Sequence, residues 1–179
     1  MSRLTISLSL LAATVLLLTG PSAGTNEPLG LAAQSRAAAD DSLAIVANRA
    51  NPVENLSLDE LRKIFLGDQP HWSNGRRITV VMLEQGKQER DVVLKQIYKM
   101  GEKDFNGYFL HKMFTGEVHS APKTLTTSAE VLKFVSNVPG AIGYLKAQDV
   151  DESVKVVRIE SRLPSEKDYA IRLHAKSGK

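Results

Sequence analysis

The sequence predicts an α/β domain, a central sheet flanked by helices. Three observations carry that prediction. Short apolar runs rich in strand formers alternate with segments whose apolar residues recur at helical spacing. Two capping boxes, Ser57-Leu58-Asp59-Glu60 and Thr127-Ser128-Ala129-Glu130, mark helix starts. Roughly 140 residues follow an N-terminal leader, enough for one core.

Taken in order, Leu43 to Ala47 is an apolar run that ends at Asn48 and reaches the turn pair Asn51-Pro52, which predicts a buried strand. Ser57 to Leu66 predicts a helix, with Leu58, Leu61, Ile64 and Phe65 on one face and Gly67 as its stop. Trp72 to Gly75 reads as a turn and Arg77 to Leu83 as a second strand. Glu84-Gln85-Gly86-Lys87 then turns the chain into a helix carrying Val93, Ile97 and Met100, closed by Gly101. The next helix starts near Asp104, puts Phe105, Phe109 and Met113 on one face and stops near Thr115-Gly116. The second capping box opens a helix with Val131, Leu132 and Val135 that ends between Asn137 and Gly140. Ile142 to Leu145 and Val154 to Ile159 read as strands. After Pro164 the chain is basic and expected to attach loosely, with Tyr169 to Leu173 as one more possible strand.

The beginning of the chain reads as an export signal. Arg3 is followed by the uncharged run Leu4 to Leu18 and then by small and turn residues from Gly20 to Gly24. The run is shorter than the ~20 residues that span a bilayer, so no stable membrane span is expected after processing. Ser22-Ala23-Gly24 and Ala37-Ala38-Ala39 are alternative cleavage zones. The expected organisation is a signal peptide over 1–24 with cleavage as late as 39, a flexible leader over 25–41, a domain over 42–160 and a basic tail over 161–179. A periplasmic or secreted location follows from it.

Composition narrows the chemistry. There is no cysteine, which excludes thiolate catalysis, iron–sulfur ligation and disulfides. Arg3, Arg36 and Glu27 precede Asp40, so the chain from Asp40 onward carries 21 basic and 19 acidic residues, a net charge of +2. That balance gives no strong steering towards nucleic acid or membrane. His71, His111, His119 and His174 form no H-E-x-x-H and no i, i+4 pair. No metal site, cofactor or catalytic residue is indicated. Lys95, Lys99 and Lys103 recur every four residues and read as a solvated helix face, with a basic stripe for an anionic partner as the alternative. Trp72 and Phe114, both beside turns, read as plugs at the edge of a core. One feature has a binding mechanism: a strand feeds a Gly-containing turn into a helix N-terminus, where N–H groups and the helix dipole favour an anion. Gly86, Lys87, Gln88 and Arg90 are the candidate ligand-binding residues, with Glu89 opposing them.

Several segments resemble a known family. They are Leu56 to Gly67, Trp72 with Gly75, Ile78 to Val81, Phe114-Thr115-Gly116 and Pro139-Gly140-Ala141-Ile142-Gly143-Tyr144. Together they are similar to the phosphate-binding proteins of ABC transporters. The resemblance implies a single lobe-like domain of the type II periplasmic-binding-protein fold, as in short single-domain members of that family. It also implies a solute-binding protein, and no motif in the sequence supports an enzymatic reading. Its ligand would be an inorganic oxyanion such as phosphate, and its partner an ABC transporter permease or another envelope protein. The sequence departs from the family at the ligand. Leu83 stands where the family has an Arg, Gln85 where it has an Asp, and Lys87-Gln88-Glu89 where it has Ser-Gly-Thr; Gly86 is kept. The alternative is therefore an envelope interaction module that kept the fold and lost the phosphate. The resemblance further implies that full-length members have two lobes with phosphate between them, of which this chain supplies about one; a homodimer that rebuilds such a cleft is a conjecture from the missing lobe alone, and the sequence does not give the oligomeric state.

Overall fold

The computed structural model describes residues 41–173. The expected signal peptide, nearly all of the leader and the last residues of the tail lie outside them. Twelve elements follow one another: β1 (Leu43–Ala47), β2 (Asn55–Leu56), α1 (Leu58–Leu66), β3 (Thr79–Leu83), α2 (Gln88–Val93) running into a π-helical turn (Leu94–Tyr98), α3 (Glu102–Phe114), β4 (Lys123–Leu125), α4 (Ser128–Asn137), β5 (Ala141–Lys146), a 3-10 turn (Ala147–Asp149) and β6 (Lys155–Ile159).

The six strands form one sheet in the order β2-β6-β1-β5-β3-β4. β1 runs antiparallel to both neighbours, β5 and β6, while β2 with β6, β3 with β5 and β3 with β4 are parallel. All strands except β1 therefore end at the same edge of the sheet. β1 is buried along its whole length, as a strand covered on both faces must be. The core joins it to Leu61, Ile64 and Phe65 of α1, Val131 and Val135 of α4, and the aromatic stack of Tyr98, Phe105 and Phe109.

Local chemistry sets the boundaries. Ser57 and Glu60 form the expected reciprocal box at α1, and Gly67 ends that helix at φ +80°. At α4 the box is shifted: Thr127 accepts from the Glu130 N–H, but Glu130 accepts from the N–H of Thr126. Gly140 has a reason to be glycine. Its φ is +101°, and a Cβ there would lie 2.3 Å from the Arg77 carbonyl oxygen. Its own carbonyl accepts from the Trp72 indole at 3.0 Å and the Thr79 N–H at 3.1 Å. Two buried asparagines complete that corner. Asn48 donates to the carbonyls of Val135 and Ser136, while Asn51 donates to Ala141 and accepts from Gly140.

Four expectations are corrected. The second helix ends at Lys99, in the left-handed region at φ 59°, and not at Gly101, which instead caps α3. Met113 and Phe114 do not join the core: α3 turns Leu110, Met113 and Phe114 to solvent, with Phe114 91% exposed. The tail is not loose over its described part. Tyr169 and Ile171 are buried, Tyr169 donates to the Leu43 carbonyl, and Leu43 donates to Ile171. Lys99 lies outside the helix that was to carry the Lys95–Lys103 face.

Candidate functional site

Three helices begin at the edge where the parallel strands end: α1 after β2, α2 after β3 and α4 after β4. In open α/β sheets this edge is where ligands bind. The first turn of each helix has N–H groups without an intrahelical acceptor. At α1 they meet the Ser57 hydroxyl and the Glu160 carboxylate. At α4 one meets the Thr127 hydroxyl, and Ser128 donates to Asp149. At α2 the N-cap is Lys87, whose side chain caps nothing. Among these three starts, α2 alone keeps its first turn free of a side-chain acceptor among the described residues.

The turn before α2 is built by Gly86 at φ +90°, with open space around it. The strand end beneath is held by Tyr144, whose hydroxyl accepts from the Leu83 N–H at 3.1 Å. Burial pushes the Tyr144 hydroxyl well above its usual range, so it stays protonated. Lys87 and Gln88 reach the surface, with the Lys87 ammonium 3.5 Å from the Glu84 carboxylate. Both side chains of that pair are more than 40% exposed, so it holds the lysine weakly. Glu89, which the sequence sets against an anion, is turned aside: its carboxylate lies 3.3 Å from Lys146 at the end of β5.

Arg90 is placed differently from its three companions. It points inward and is 4% exposed. Its Nε and Nη2 donate to the two Glu102 oxygens at 2.9 and 2.8 Å, and Nη1 donates to the Leu83 carbonyl at 2.8 Å. The guanidinium also lies 5.0 Å from the Phe105 ring centre. Burial opposes its charge, but the Glu102 hydrogen bonds outweigh that and keep it protonated. The Arg90 hydrogen bonds in turn hold the Glu102 carboxyl below the usual carboxylate range. Gly86, Lys87 and Gln88 thus meet at the turn, and Arg90 braces it from below. The sequence carries a signal for this: Arg90 shares the helical face of Val93 and Ile97, at i, i+3 and i+7.

Sequence reasoning missed a second concavity at the opposite edge. A cleft of about 560 Å³ lies between the end of α1, the first half of β3 and the segment joining α3 to β4, with His71, Arg77, His119 and Lys123 among its lining. Among the described residues no three His, Asp or Glu side chains group as a metal site, and no helix is long and apolar enough to cross a membrane.

The family profile described as "PBP superfamily domain" matches residues 12–169. Among solved structures, the chain is similar to an ABC-type phosphate transport receptor from Vibrio cholerae, at 24% identity and a TM-score of 0.56 over 69% of this chain and 48% of that one. A candidate phosphate ABC transporter substrate-binding protein with bound phosphate from Clostridium perfringens matches at 23% and 0.56, over 68% and 46%. PstS from Borrelia burgdorferi matches at 14% and 0.55, over 74% and 54%. The chain spans about half the length of these proteins, and at such identities they establish the fold alone.

Proposed function

The chain belongs to the PBP superfamily domain family, and from that premise we propose that it is an exported solute-binding protein that takes an oxyanion, phosphate first, for an ABC transporter. It acts by binding and carries out no reaction. The observation that carries this reading is the uncapped start of α2 at the carboxyl edge of the parallel strands. There the first-turn N–H groups without a side-chain acceptor follow directly on the left-handed Gly86 and on Lys87, and Glu89 pairs with Lys146. Gln88 adds an exposed amide donor. Arg90 supports the site from within through Leu83.

The second reading, an envelope protein-interaction module, rests on a different observation. Leu110, Met113 and Phe114 form an exposed apolar face on α3, and such faces mark protein contacts. One experiment separates the two: calorimetric titration of the chain from Asp40 with phosphate at low salt, with sulfate as control. Saturable micromolar phosphate binding is expected. No heat up to millimolar phosphate, about −4 kcal/mol, would overturn the oxyanion reading and leave the α3 face as the functional surface.

A further inference from the structure

The cleft at the amino-terminal edge of β3 has the make-up of a binding site independent of the α2 turn. Its volume, about 560 Å³, falls in the range of small-molecule sites. Two features of the fold create it. β4 pairs only with Val81 to Leu83, so the first half of β3, Thr79 and Val80, has no strand beside it on that side. Gly67 lets the Val118 side chain approach so closely that a Cβ would lie 2.7 Å from it, which pins the α3–β4 segment over the end of α1 and leaves a gap beyond.

The floor of the gap is apolar, with Phe65, Ile78 and Phe109 buried and Val80 half-buried. The rim is basic. His71, Arg77 and His119 are exposed and pair with no carboxylate among the described residues. Glu117, the acidic side chain in the lining, accepts from the Thr115 hydroxyl at 2.8 Å and lies 3.8 Å from Lys112; its side chain is 53% exposed, so water screens its charge. Lys123 leans 5.2 Å over the Phe134 ring. The Arg77 fork is thus free for a planar carboxylate.

We propose that this cleft binds a small organic anion, its apolar body on the Phe65–Val80–Phe109 floor and its carboxylate on Arg77. An inorganic oxyanion has nothing to place on that floor, so the cleft and the α2 turn select different ligands. The proposal does not depend on phosphate binding at α2.

The test is calorimetric titration with decanoate below its aggregation range, with decan-1-ol as the uncharged counterpart and phosphate as competitor. One decanoate per chain is expected, weakened about tenfold or more in Arg77→Gln, the size of a lost charge-assisted pair. Ala121→Trp, which fills the cleft from the loop, should abolish it, while Lys87→Asp and added phosphate leave it unchanged. The Arg77 side chain makes no hydrogen bond or ion pair among the described residues, so Arg77→Gln should fold, as emission from the single Trp72 would verify. Absence of one-to-one binding, equal affinity in Arg77→Gln, decanol binding as tightly as decanoate, or displacement by phosphate would each overturn the proposal.

Discussion

Arg90 and Glu102 show how a charge can serve a site without touching a ligand. The pair is largely withdrawn from water, at 5% and 22% side-chain exposure. Removing one member of such a pair leaves the other uncompensated, which costs about 3 kcal/mol. Glu102→Gln should therefore lower stability by about 2–3 kcal/mol at neutral pH, the lower end reflecting the partial exposure of Glu102. The pH dependence has a definite sign. The folded-state pKa of Glu102 is depressed, so its contribution is full above the unfolded carboxylate value of ~4.3 and fades as pH falls through the folded value. Urea unfolding from pH 7 to pH 3 should show the gap between wild type and Glu102→Gln closing below about pH 4. A gap that stays constant with pH would mean that the pair contributes through shape and not through charge. Sequence alone names Arg90 as cationic and near a helix start. What it hides is the partner, because Glu102 lies across the π-helical turn and meets Arg90 only after Lys99 has bent the chain.

Among elements, those with strong local chemistry were legible. The capping box of α1, the Thr127 cap of α4, the Gly67 stop and the β1, β3, β5 and β6 runs appear within a residue or two of their expected bounds. β2 and β4 were not legible. They have two and three residues, with Asn55, Lys123 and Thr124 exposed, and exist only because β6 and β3 offer edges to pair with. The block from Pro139 to Tyr144 was legible as a pattern but not as a cause. The cause is Gly140 against the Arg77 carbonyl and Tyr144 under Leu83. The start of α2 carries a prediction at this scale. Lys87 has φ −84° and ψ 134°, the backbone of a capping residue, yet it is a poor cap. Lys87→Asp should cap the helix and favour its dipole, raising stability by about 0.5–1 kcal/mol. Loss of the exposed pair with Glu84 offsets little of that. The same carboxylate would occupy the proposed anion position and repel an anion there, so on that proposal phosphate affinity should fall about tenfold or more. Stability and binding then move in opposite directions, read by thermal unfolding and calorimetry on one variant. If both move together or neither moves, the uncapped start has no binding role.

For the whole molecule the question is how an open edge could hold the proposed anion tightly. At an exposed helix start the dipole contributes about 0.3–1 kcal/mol, and an exposed lysine adds about as much. Together they fall far short of the ~8 kcal/mol that micromolar affinity needs. The shortfall can be met where water is excluded, because the same charges interact several-fold more strongly in a closed, low-dielectric cleft. One copy does not close such a cleft: Gly86 has open space around it, and Gln88 is exposed. Micromolar binding at the proposed site would therefore require a second surface over the edge where α1, α2 and α4 begin. Another copy is the simplest source, since a two-fold axis lets the same edge supply both walls. The expected outcome is that phosphate at saturating concentration doubles the sedimenting mass of the chain from Asp40, while Lys87→Asp stays monomeric under the same conditions. Micromolar phosphate binding at an unchanged monomer mass would overturn this argument. It would show that the exposed turn is drier, or better supplied with donors, than its geometry allows.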